Sequence, residues 1–162
     1  MTASSSNLRI RIATKQDIIH LHEVFEASVR QTCNQHYTEA QINAWVTKAD
    51  MNRWQELFSS DLVFILAEDN ETHQIAGFTS INAEGYLHSM FVHPDYQRKG
   101  IAQQLLNHAE QLAIEKCVSG IHVEVSITAR PFFEKAGYAI VNAQMVVVNG
   151  TEMTNFIMQK QL

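Results

Sequence analysis

A short turn with one glycine, between an apolar segment and a helical run, is the part of this sequence best suited to chemistry. The turn is Gln97-Arg98-Lys99-Gly100-Ile101-Ala102, and it follows an apolar segment that stops just before Pro94. The first N–H groups of a helix have no partner within it, and the helix dipole is positive at that end. Such a junction binds anionic groups, phosphate above all. The turn matches neither the P-loop pattern nor the three-glycine dinucleotide fingerprint.

Three polar residues before this turn are candidates for proton transfer. Glu84, Tyr86 and His88 are spaced two apart, and strand alternation predicts that their side chains share one face. An ordinary histidine titrates near neutrality, so His88 is the better general base, whereas Glu84 needs burial to raise its pKa. The alternative is that these are partly exposed polar residues on a strand edge.

Length and charge limit the classes of function. The chain has 162 residues, which suits one domain over 1–162, and a net charge of −5. Its 12 Lys and Arg residues are scattered rather than clustered, so no nucleic-acid partner is expected. An acidic chain is compatible with an amine-bearing substrate.

No pattern indicates export, membrane insertion or a metal. Residues 1–7 are polar and lack the apolar core of a signal peptide, and no apolar run approaches the roughly 18 residues needed to span a bilayer. Cys33 and Cys117 have no metal or redox spacing, and His20 and His22 lie on different sides of a helix. We therefore expect a cytoplasmic protein with reduced thiols, no metal and no membrane partner.

Hydrophobic periodicity predicts the elements that position these residues. Helices are predicted at 18–30, after the capping box Thr38-Glu39-Ala40-Gln41, near 52–58, at 101–113 and at 129–135. Strands are predicted at 8–12, 62–67, 74–81, 86–92, 121–125, 139–148 and 152–158, with Asn149-Gly150 as the turn of a final hairpin. Without the short helix near 52–58, the order is β-α-α-β-β-β-α-β-α-β-β.

Two segments and this order resemble the GNAT superfamily of acyl-CoA-dependent N-acetyltransferases. The turn at 97–102 fits Q/R-x-x-G-x-G/A, and Ala129 to Tyr138 is similar to A-x-x-L/F-Y-E-K-x-G-F. The resemblance implies an α/β fold with a mixed, mostly antiparallel sheet of six or seven strands, flanked by helices. It also implies that the fourth and fifth strands splay apart around the acyl-CoA. Tyr37, Gln41 and Trp45, taken with residues 126–133, resemble the YafP-like branch.

The resemblance implies a place for acetyl-CoA. Backbone N–H groups of the turn would bind the pyrophosphate, and the main chain of the preceding strand would pair with the pantetheine amides. Ser126 stands where many relatives carry a pantetheine-binding Asn, although it is equally suited to cap the next helix. The cofactor-binding residues implied in this way are Met90, Phe91, Val92, Gln97, Arg98, Lys99, Gly100, Ile101, Ala102, Ser126 and Phe133.

The chain departs from the family pattern at one catalytic position. Phe133 stands where relatives often have a tyrosine that protonates the leaving thiolate, and it has no proton to donate. Ser126, Thr128, Tyr138 or solvent remain as proton sources. Some relatives use a Glu as base near the start of the fourth strand, and Tyr86 occupies that position here. Tyr37 and Trp45 are the predicted acceptor-binding residues.

The sequence therefore predicts an N-acetyltransferase that moves an acetyl group from acetyl-CoA to a primary amine in a ternary complex. The amine belongs to a small molecule or a protein. The alternative from another class is a non-catalytic acyl-CoA-binding sensor or regulator, which Phe133 favours. A toxin that acetylates aminoacyl-tRNA is disfavoured by the acidic balance. A homodimer is compatible with the sequence, which leaves the oligomeric state open.

Overall fold

The computed structural model describes residues 7–162 and is built around one seven-stranded sheet. Its strands are β1 (Leu8–Ile12), β2 (Val63–Asp69), β3 (Ile75–Ile81), β4 (Tyr86–Val92), β5 (Gly120–Ser126), β6 (Ala139–Val148) and β7 (Thr151–Gln161). Its helices are α1 (Ile18–Thr32), α2 (Glu39–Lys48), α3 (Met51–Ser59), α4 (Ile101–Glu115) and α5 (Arg130–Lys135). The predicted order of elements is confirmed, and the short helix near 52–58 is α3.

The sheet is mixed and mostly antiparallel, as predicted. Its strand order is β1-β2-β3-β4-β5-β7-β6, so the last strand of the chain lies between β5 and β6. Every neighbouring pair is antiparallel except β4 and β5. The hairpin of β6 and β7 turns at Asn149-Gly150, where both residues have positive φ, as a two-residue hairpin turn requires.

The parallel pair β4–β5 separates soon after it begins. The ladder holds at only two positions, Tyr86 with His122 and Leu87 with Val123. Beyond Leu87 the two strands have no register in common, although each continues for several residues beside its other neighbour. The predicted splay of the fourth and fifth strands is therefore present, and a gap opens toward their carboxyl ends.

Two hydrophobic cores cover the two faces of the sheet. On one face α4 buries Leu105, Leu106 and Ala109 against the strands. On the other face the three N-terminal helices pack, with Leu21 and Trp54 among their buried residues. This second layer forms a roof over the gap between β4 and β5.

A glycine on β3 allows α4 to pack closely on the sheet. A Cβ on Gly77 would lie 2.9 Å from the Phe91 carbonyl oxygen and 3.3 Å from side-chain atoms of Ile101 and Leu105. Those two side chains belong to the first turns of α4, so the missing Cβ fixes how near the start of that helix lies to the end of β4.

Three other expectations concern features away from the sheet. Within residues 7–162, no helix combines the length and the apolar character that a membrane crossing needs. Over the same residues, no group of three His, Cys, Asp or Glu side chains is placed to hold a metal ion. Cys33 is buried and Cys117 is exposed, and neither forms a disulfide. The prediction about the first residues of the chain lies outside the described residues, apart from Asn7.

Candidate active site

The turn before α4 has the backbone of an anion-binding site. Gly100 is the N-cap of α4 and adopts the left-handed conformation, with φ +76°. Arg98 also has positive φ, +61°, which is uncommon for a residue with a side chain. The first helical hydrogen bond runs from Gln104 N to Gly100 O, so the N–H groups of residues 101–103 have no partner in the helix. Apart from its chain neighbours, no atom of residues 7–162 lies within 4 Å of where a Cβ on Gly100 would be, so this side of the turn is open to a ligand.

The side chains of the turn hold it in place and leave charge at the surface. Gln97 donates from Nε2 to the Val92 carbonyl at 3.2 Å, which ties the turn to the end of β4. The Lys99 ammonium lies 5.2 Å from the centre of the Tyr96 ring, and Tyr96 donates to Asp69 at 2.7 Å. Arg98 is exposed and forms no ion pair within residues 7–162. These features suit an anionic ligand on the outer side of the turn.

The edge of β4 that faces β5 is available to a ligand. On its other edge β4 pairs with β3 from Leu87 to Val92, with an irregularity that leaves His88 without a register partner; Met90 pairs with Thr79 and Phe91 with Phe78. Past Leu87 no strand pairs with the edge toward β5. An extended molecule with amide groups can hydrogen-bond to such an edge as an added strand does.

A cavity of about 500 Å³ lies in the gap between β4 and β5. The three N-terminal helices and the β6–β7 hairpin cover it, and several aromatic rings are among its lining. Eight of the residues predicted to form the site line it: Tyr37, Trp45, Tyr86, His88, Met90, Phe91, Ser126 and Phe133. Glu84, Val92 and the turn at 97–102 lie outside this lining.

The His88 side chain has a lower pKa than the sequence predicts. Its ring projects from β4 into the cavity, and Nδ1 is buried without a hydrogen-bond partner. Burial lowers the His88 pKa to about 4, with smaller contributions from the positive charges of Arg53 and Lys48. The expectation that His88 titrates near neutrality is therefore wrong for this structure. The imidazole is neutral at pH 7 and offers the cavity a hydrogen-bonding nitrogen.

Glu84 does not share a strand face with Tyr86 and His88. It lies exposed in the turn that precedes β4, where Asn82 accepts hydrogen bonds from the N–H groups of Glu84 and Tyr86 at 3.0 and 2.9 Å. Gly85, with φ +89°, separates it from the strand. Alternation therefore begins only at Tyr86, and the predicted grouping of three residues is wrong. Glu84 lines a depression beside the main cavity, together with Tyr86, His122 and Glu124, so it borders one space with Tyr86 but not with His88.

Tyr86 contributes a phenol at the closed end of the gap. Its ring stacks on His122, with centroids 5.2 Å apart, and meets the His88 ring edge-on at 5.9 Å. Burial and the nearby carboxylate of Glu124 raise the Tyr86 pKa, so the phenol stays protonated. No hydrogen bond within residues 7–162 engages its hydroxyl, which leaves the O–H group available to a ligand.

Comparison with known proteins agrees with this geometry. A family model described as acetyltransferase (GNAT) domain matches residues 33–161. The chain is 36% identical over 154 residues to the uncharacterized N-acetyltransferase YafP of Escherichia coli (strain K12), with 95% of this chain and 96% of that protein covered. The chain belongs to the GNAT acetyltransferase family.

Solved structures share the whole fold. A GCN5-related N-acetyltransferase from Rhodopseudomonas palustris superposes with a TM-score of 0.90 at 27% identity, covering 100% of this chain and 99% of that one. PaiA N-acetyltransferase from Thermoplasma acidophilum, solved in complex with coenzyme A, has a TM-score of 0.78 at 23% identity, covering 96% and 99%. The predicted resemblance to GNAT enzymes and to YafP is thereby confirmed.

Two residues near the end of β5 bear on the leaving group of a GNAT reaction. Ser126 Oγ accepts from Ala129 N at 3.0 Å, so it caps the start of α5 while its own O–H stays free to donate toward the cavity. Phe133 is fully buried and packs edge-on against Phe132 and Tyr138. Both roles suggested for Ser126 are compatible with this placement.

The other two side chains that the sequence offers as proton donors, Tyr138 and Thr128, lie outside the cavity lining. Tyr138 donates to Glu110 at 2.8 Å and lies outside the cavity lining, and burial with this carboxylate raises its pKa far above the usual range. Thr128 Oγ1 is bonded to His36 Nδ1 at 2.9 Å, also outside the lining. Among the alternatives named from the sequence, only Ser126 has its hydroxyl in the cavity of this GNAT domain.

The predicted acceptor residues form part of the cavity roof. The Tyr37 hydroxyl donates to Thr154 O at 2.7 Å and accepts from Ile127 N at 2.9 Å, so it joins β7 to the chain just after β5. The Trp45 ring meets Tyr37 edge-on at 5.8 Å and lies 6.1 Å from Phe91. Only the ring of Tyr37 is available to a ligand, because its hydroxyl is already engaged.

Six polar residues that line the cavity were missed by sequence reasoning. They are Lys48, Arg53, Ser89, Glu124, Thr154 and Asn155. Asn155 belongs to β7, and its Oδ1 is buried without a partner among residues 7–162. In the sequence, Lys48 and Arg53 look like ordinary charged residues on the exposed faces of two helices, and no local pattern distinguishes them from other such residues.

Proposed function

We propose that this GNAT enzyme transfers an acetyl group from acetyl-CoA to a primary amine by direct attack within a ternary complex. The observation that carries the proposal is the separation of β4 from β5 after only two paired positions. That separation creates an unpaired strand edge and a cavity beside it. The left-handed N-cap of α4 adds an anion site beyond the end of the same strand.

These features give acetyl-CoA a consistent path. The N–H groups at 100–102 would hold the pyrophosphate, with Arg98 and Lys99 adding positive charge. The pantetheine amides would pair with the main chain at Met90 and Phe91. The thioester would then reach the cavity near Ser126 and Phe133, while Val92 and Gln97 hold the strand end and the turn together.

The reaction needs little from ionisable side chains. The amine nitrogen attacks the thioester carbonyl carbon, the N–C bond forms, the C–S bond breaks and the thiolate leaves. One amine proton is released to water or to the thiolate, whose pKa makes it a fair leaving group at neutral pH. In this proposal neutral His88 orients the amine by accepting a hydrogen bond at Nδ1. The hydroxyls of Tyr86 and Ser126, which both belong to lining residues of the cavity, would be its candidate proton donors.

Release of free thiol from acetyl-CoA in the presence of an amine panel tests the proposal. We expect amine-dependent thiol release together with a product heavier than the amine by one acetyl group. Acetyl-CoA binding without thiol release on any amine would contradict catalysis and leave a binding protein.

That second outcome corresponds to the rival function, a non-catalytic acyl-CoA-binding sensor or regulator. Phe133 is the observation that favours it, because a phenyl ring at this position cannot protonate the thiolate. Phe133→Tyr distinguishes the two functions. If the native enzyme is active without this acid, the acetyl-transfer rate should change by less than about tenfold, below the 10²–10⁴ of acid–base catalysis. A far larger gain would favour the regulator.

A further inference from the structure

The cavity carries an uneven charge distribution that bears on which amine it accepts. Lys48, at the end of α2, and Arg53, in the first turn of α3, line its helical side. Both are partly in solvent, since Lys48 is exposed and the Arg53 side chain is 41% exposed, so they lie at the opening of the cavity. Two cations at the entrance disfavour a polycationic acceptor.

These cations have weak partners within the protein. Arg53 approaches Glu56 at 3.7 Å, and that carboxylate is 70% exposed. Asp50 lies between the two cations in the chain, but its carboxylate accepts from Arg53 N at 2.8 Å and caps α3. Lys48 forms no ion pair or hydrogen bond within residues 7–162. The positive charge at the opening is therefore largely uncompensated. Its electrostatic effect extends into the cavity, because both residues lower the pKa of His88.

The opposite wall and the interior have the complementary character. Glu124 of β5 lines the cavity and is held by Gln144 through a hydrogen bond of 3.3 Å. His88 Nδ1 and Asn155 Oδ1 are buried without partners, and both residues line the cavity. Buried polar atoms without partners are uncommon in folded proteins, and in a cavity they indicate where a ligand supplies the missing groups. An amine offers the donor that Asn155 Oδ1 requires, and the donor that His88 Nδ1 requires in the tautomer protonated at Nε2.

The cations are not part of the proposed acetyl-CoA path. That path follows β4 toward Val92 and the turn at 97–102, which lies outside the cavity lining. Lys48 and Arg53 instead belong to the helical roof; both charges act on His88, and that of Arg53 also acts on Tyr86, in the first half of β4. Their natural ligand is a group on the acceptor.

We infer that the acceptor is an amine that also carries an anionic group, a carboxylate or a phosphate, which Lys48 and Arg53 bind at the cavity opening. This inference rests on the proposed function. The aromatic walls, which include Trp45 and Trp54, favour an apolar side chain on the same molecule. The acceptor class is that of amino acids and their phosphonate or phosphate analogues. Complementary charge at the opening selects this class and excludes polyamines.

A matched series of amines tests the inference through thiol release. The series is L-phenylalanine, L-phenylalanine amide, 2-phenylethylamine, 1-amino-2-phenylethylphosphonic acid and spermidine. We expect kcat/KM for the carboxylate or the phosphonate to exceed that for the amide by about tenfold or more, as for a charge-assisted contact. The better of the two acids identifies the anionic group. Added salt should reduce the preference, because the contact is near solvent.

The double variant Lys48→Gln/Arg53→Gln tests the residues themselves. We expect it to lose the preference for the acidic acceptors, mainly through a higher KM. The control is Lys116→Gln/Lys135→Gln, which removes the same charge from exposed lysines outside the cavity and should keep the preference. Near-ultraviolet circular dichroism establishes that each variant is folded.

The outcomes separate this inference from the proposed function. Thiol release that favours 2-phenylethylamine or spermidine in the native enzyme would overturn the inference and support acetyl transfer. A preference for acids that survives in the Lys48→Gln/Arg53→Gln variant would overturn the assignment of these residues. Absence of thiol release with every amine would contradict the proposed function itself.

Discussion

Gly100 combines a backbone conformation and an open surface that together suit a phosphate. Its φ of +76° is accessible to glycine at little cost, and its missing Cβ leaves the first N–H groups of α4 uncovered. A side chain there would add both bulk and, if acidic, a charge of the wrong sign at the positive end of the helix.

We therefore expect Gly100→Asp to weaken acetyl-CoA binding by at least about 100-fold, through steric exclusion and repulsion of the pyrophosphate. Isothermal titration calorimetry measures the change. Gly150→Asp is the matched control, because Gly150 has φ +81° and equally open surroundings, but lies in the β6–β7 turn. It carries the same backbone strain without a phosphate nearby. Equal affinities of the two variants would contradict the assignment of this turn.

His88 shows how burial changes the chemistry of a side chain. With a pKa near 4 it is neutral and a weak base throughout the pH range in which amines are acetylated, so the proposed function gives it the role of orienting the amine rather than of removing its proton. The acidic limb of the pH–rate profile should then follow the supply of free amine.

We expect His88→Gln to lower kcat/KM by a factor of about 2–10, the cost of one neutral hydrogen bond, and by the same factor at pH 6.5 and pH 8.5. The measurement is a pH–rate profile with one amine acceptor. His20→Gln, on the exposed face of α1, is the control and should match the native enzyme. A loss concentrated near pH 6.5 would show that His88 titrates near neutrality in the complex, as the sequence alone predicts.

Tyr37 links elements that the separation of β4 from β5 would otherwise leave loosely connected. Its hydroxyl bonds to Ile127 N after β5 and to Thr154 O of β7, while its ring packs on Trp45 of α2. One side chain therefore fixes the helical roof over the open end of the gap. Removal of the hydroxyl leaves two partly buried backbone groups without their partner.

Tyr37→Phe should lower the free energy of unfolding by about 1–3 kcal/mol and raise the KM for the acceptor. Urea unfolding and steady-state kinetics measure the two effects. Tyr138→Phe is the comparison, because it also deletes a buried tyrosine hydroxyl, the one bonded to Glu110, but outside the cavity. It should cost stability and leave the acceptor KM unchanged. If both variants alter KM alike, the effect is global loosening and not the link through Tyr37.

The stability of the whole molecule should depend on pH through two separate sets of groups. In the first, Arg11 bonds to Asp17 at 2.8 and 2.9 Å and to Glu68 at 2.9 Å, which lowers the pKa of both carboxyl groups. This stabilisation is fully present above their ordinary pKa values and is lost as the pH falls through the lowered ones. The second set is His88, whose pKa is also lowered on folding, but from a higher starting value.

Because unfolded His88 binds a proton near pH 6.5 and folded His88 only near pH 4, stability should fall as the pH decreases across that window. Between pH 7.5 and pH 5 this group accounts for a loss of about 2 kcal/mol. Urea unfolding of the native protein and of His88→Gln at both pH values measures it. The variant should lose less stability than the native protein and His20→Gln as much. Equal losses in all three would contradict the burial of a neutral His88.

Interactions between residues close together in the sequence determined the turns, caps and order of elements of this protein. The left-handed glycine before α4, the capping box at Thr38 and the Asn149-Gly150 hairpin depend on residues within a few positions of each other, and all are present in the structure. The order of elements follows from hydrophobic periodicity, which is also a local signal. Together with the resemblance, these features were sufficient to predict the fold, the splayed strands and the turn suited to acetyl-CoA.

The tertiary structure alone decided which groups line the cavity between β4 and β5. Its charged and unpartnered groups come from α2, α3, β4, β5 and β7, and no sequence spacing indicates that Lys48, Glu124 and Asn155 line one space. The sequence also does not indicate which of these side chains are buried. Removal of water around His88 sets its pKa, and the packing of distant elements determines that removal. Glu84 lies outside the strand because a turn at Gly85 takes precedence over alternation. The proximity of side chains and their removal from water depend on long-range packing. The sequence therefore predicted the fold, and only the structure decided which groups line the cavity.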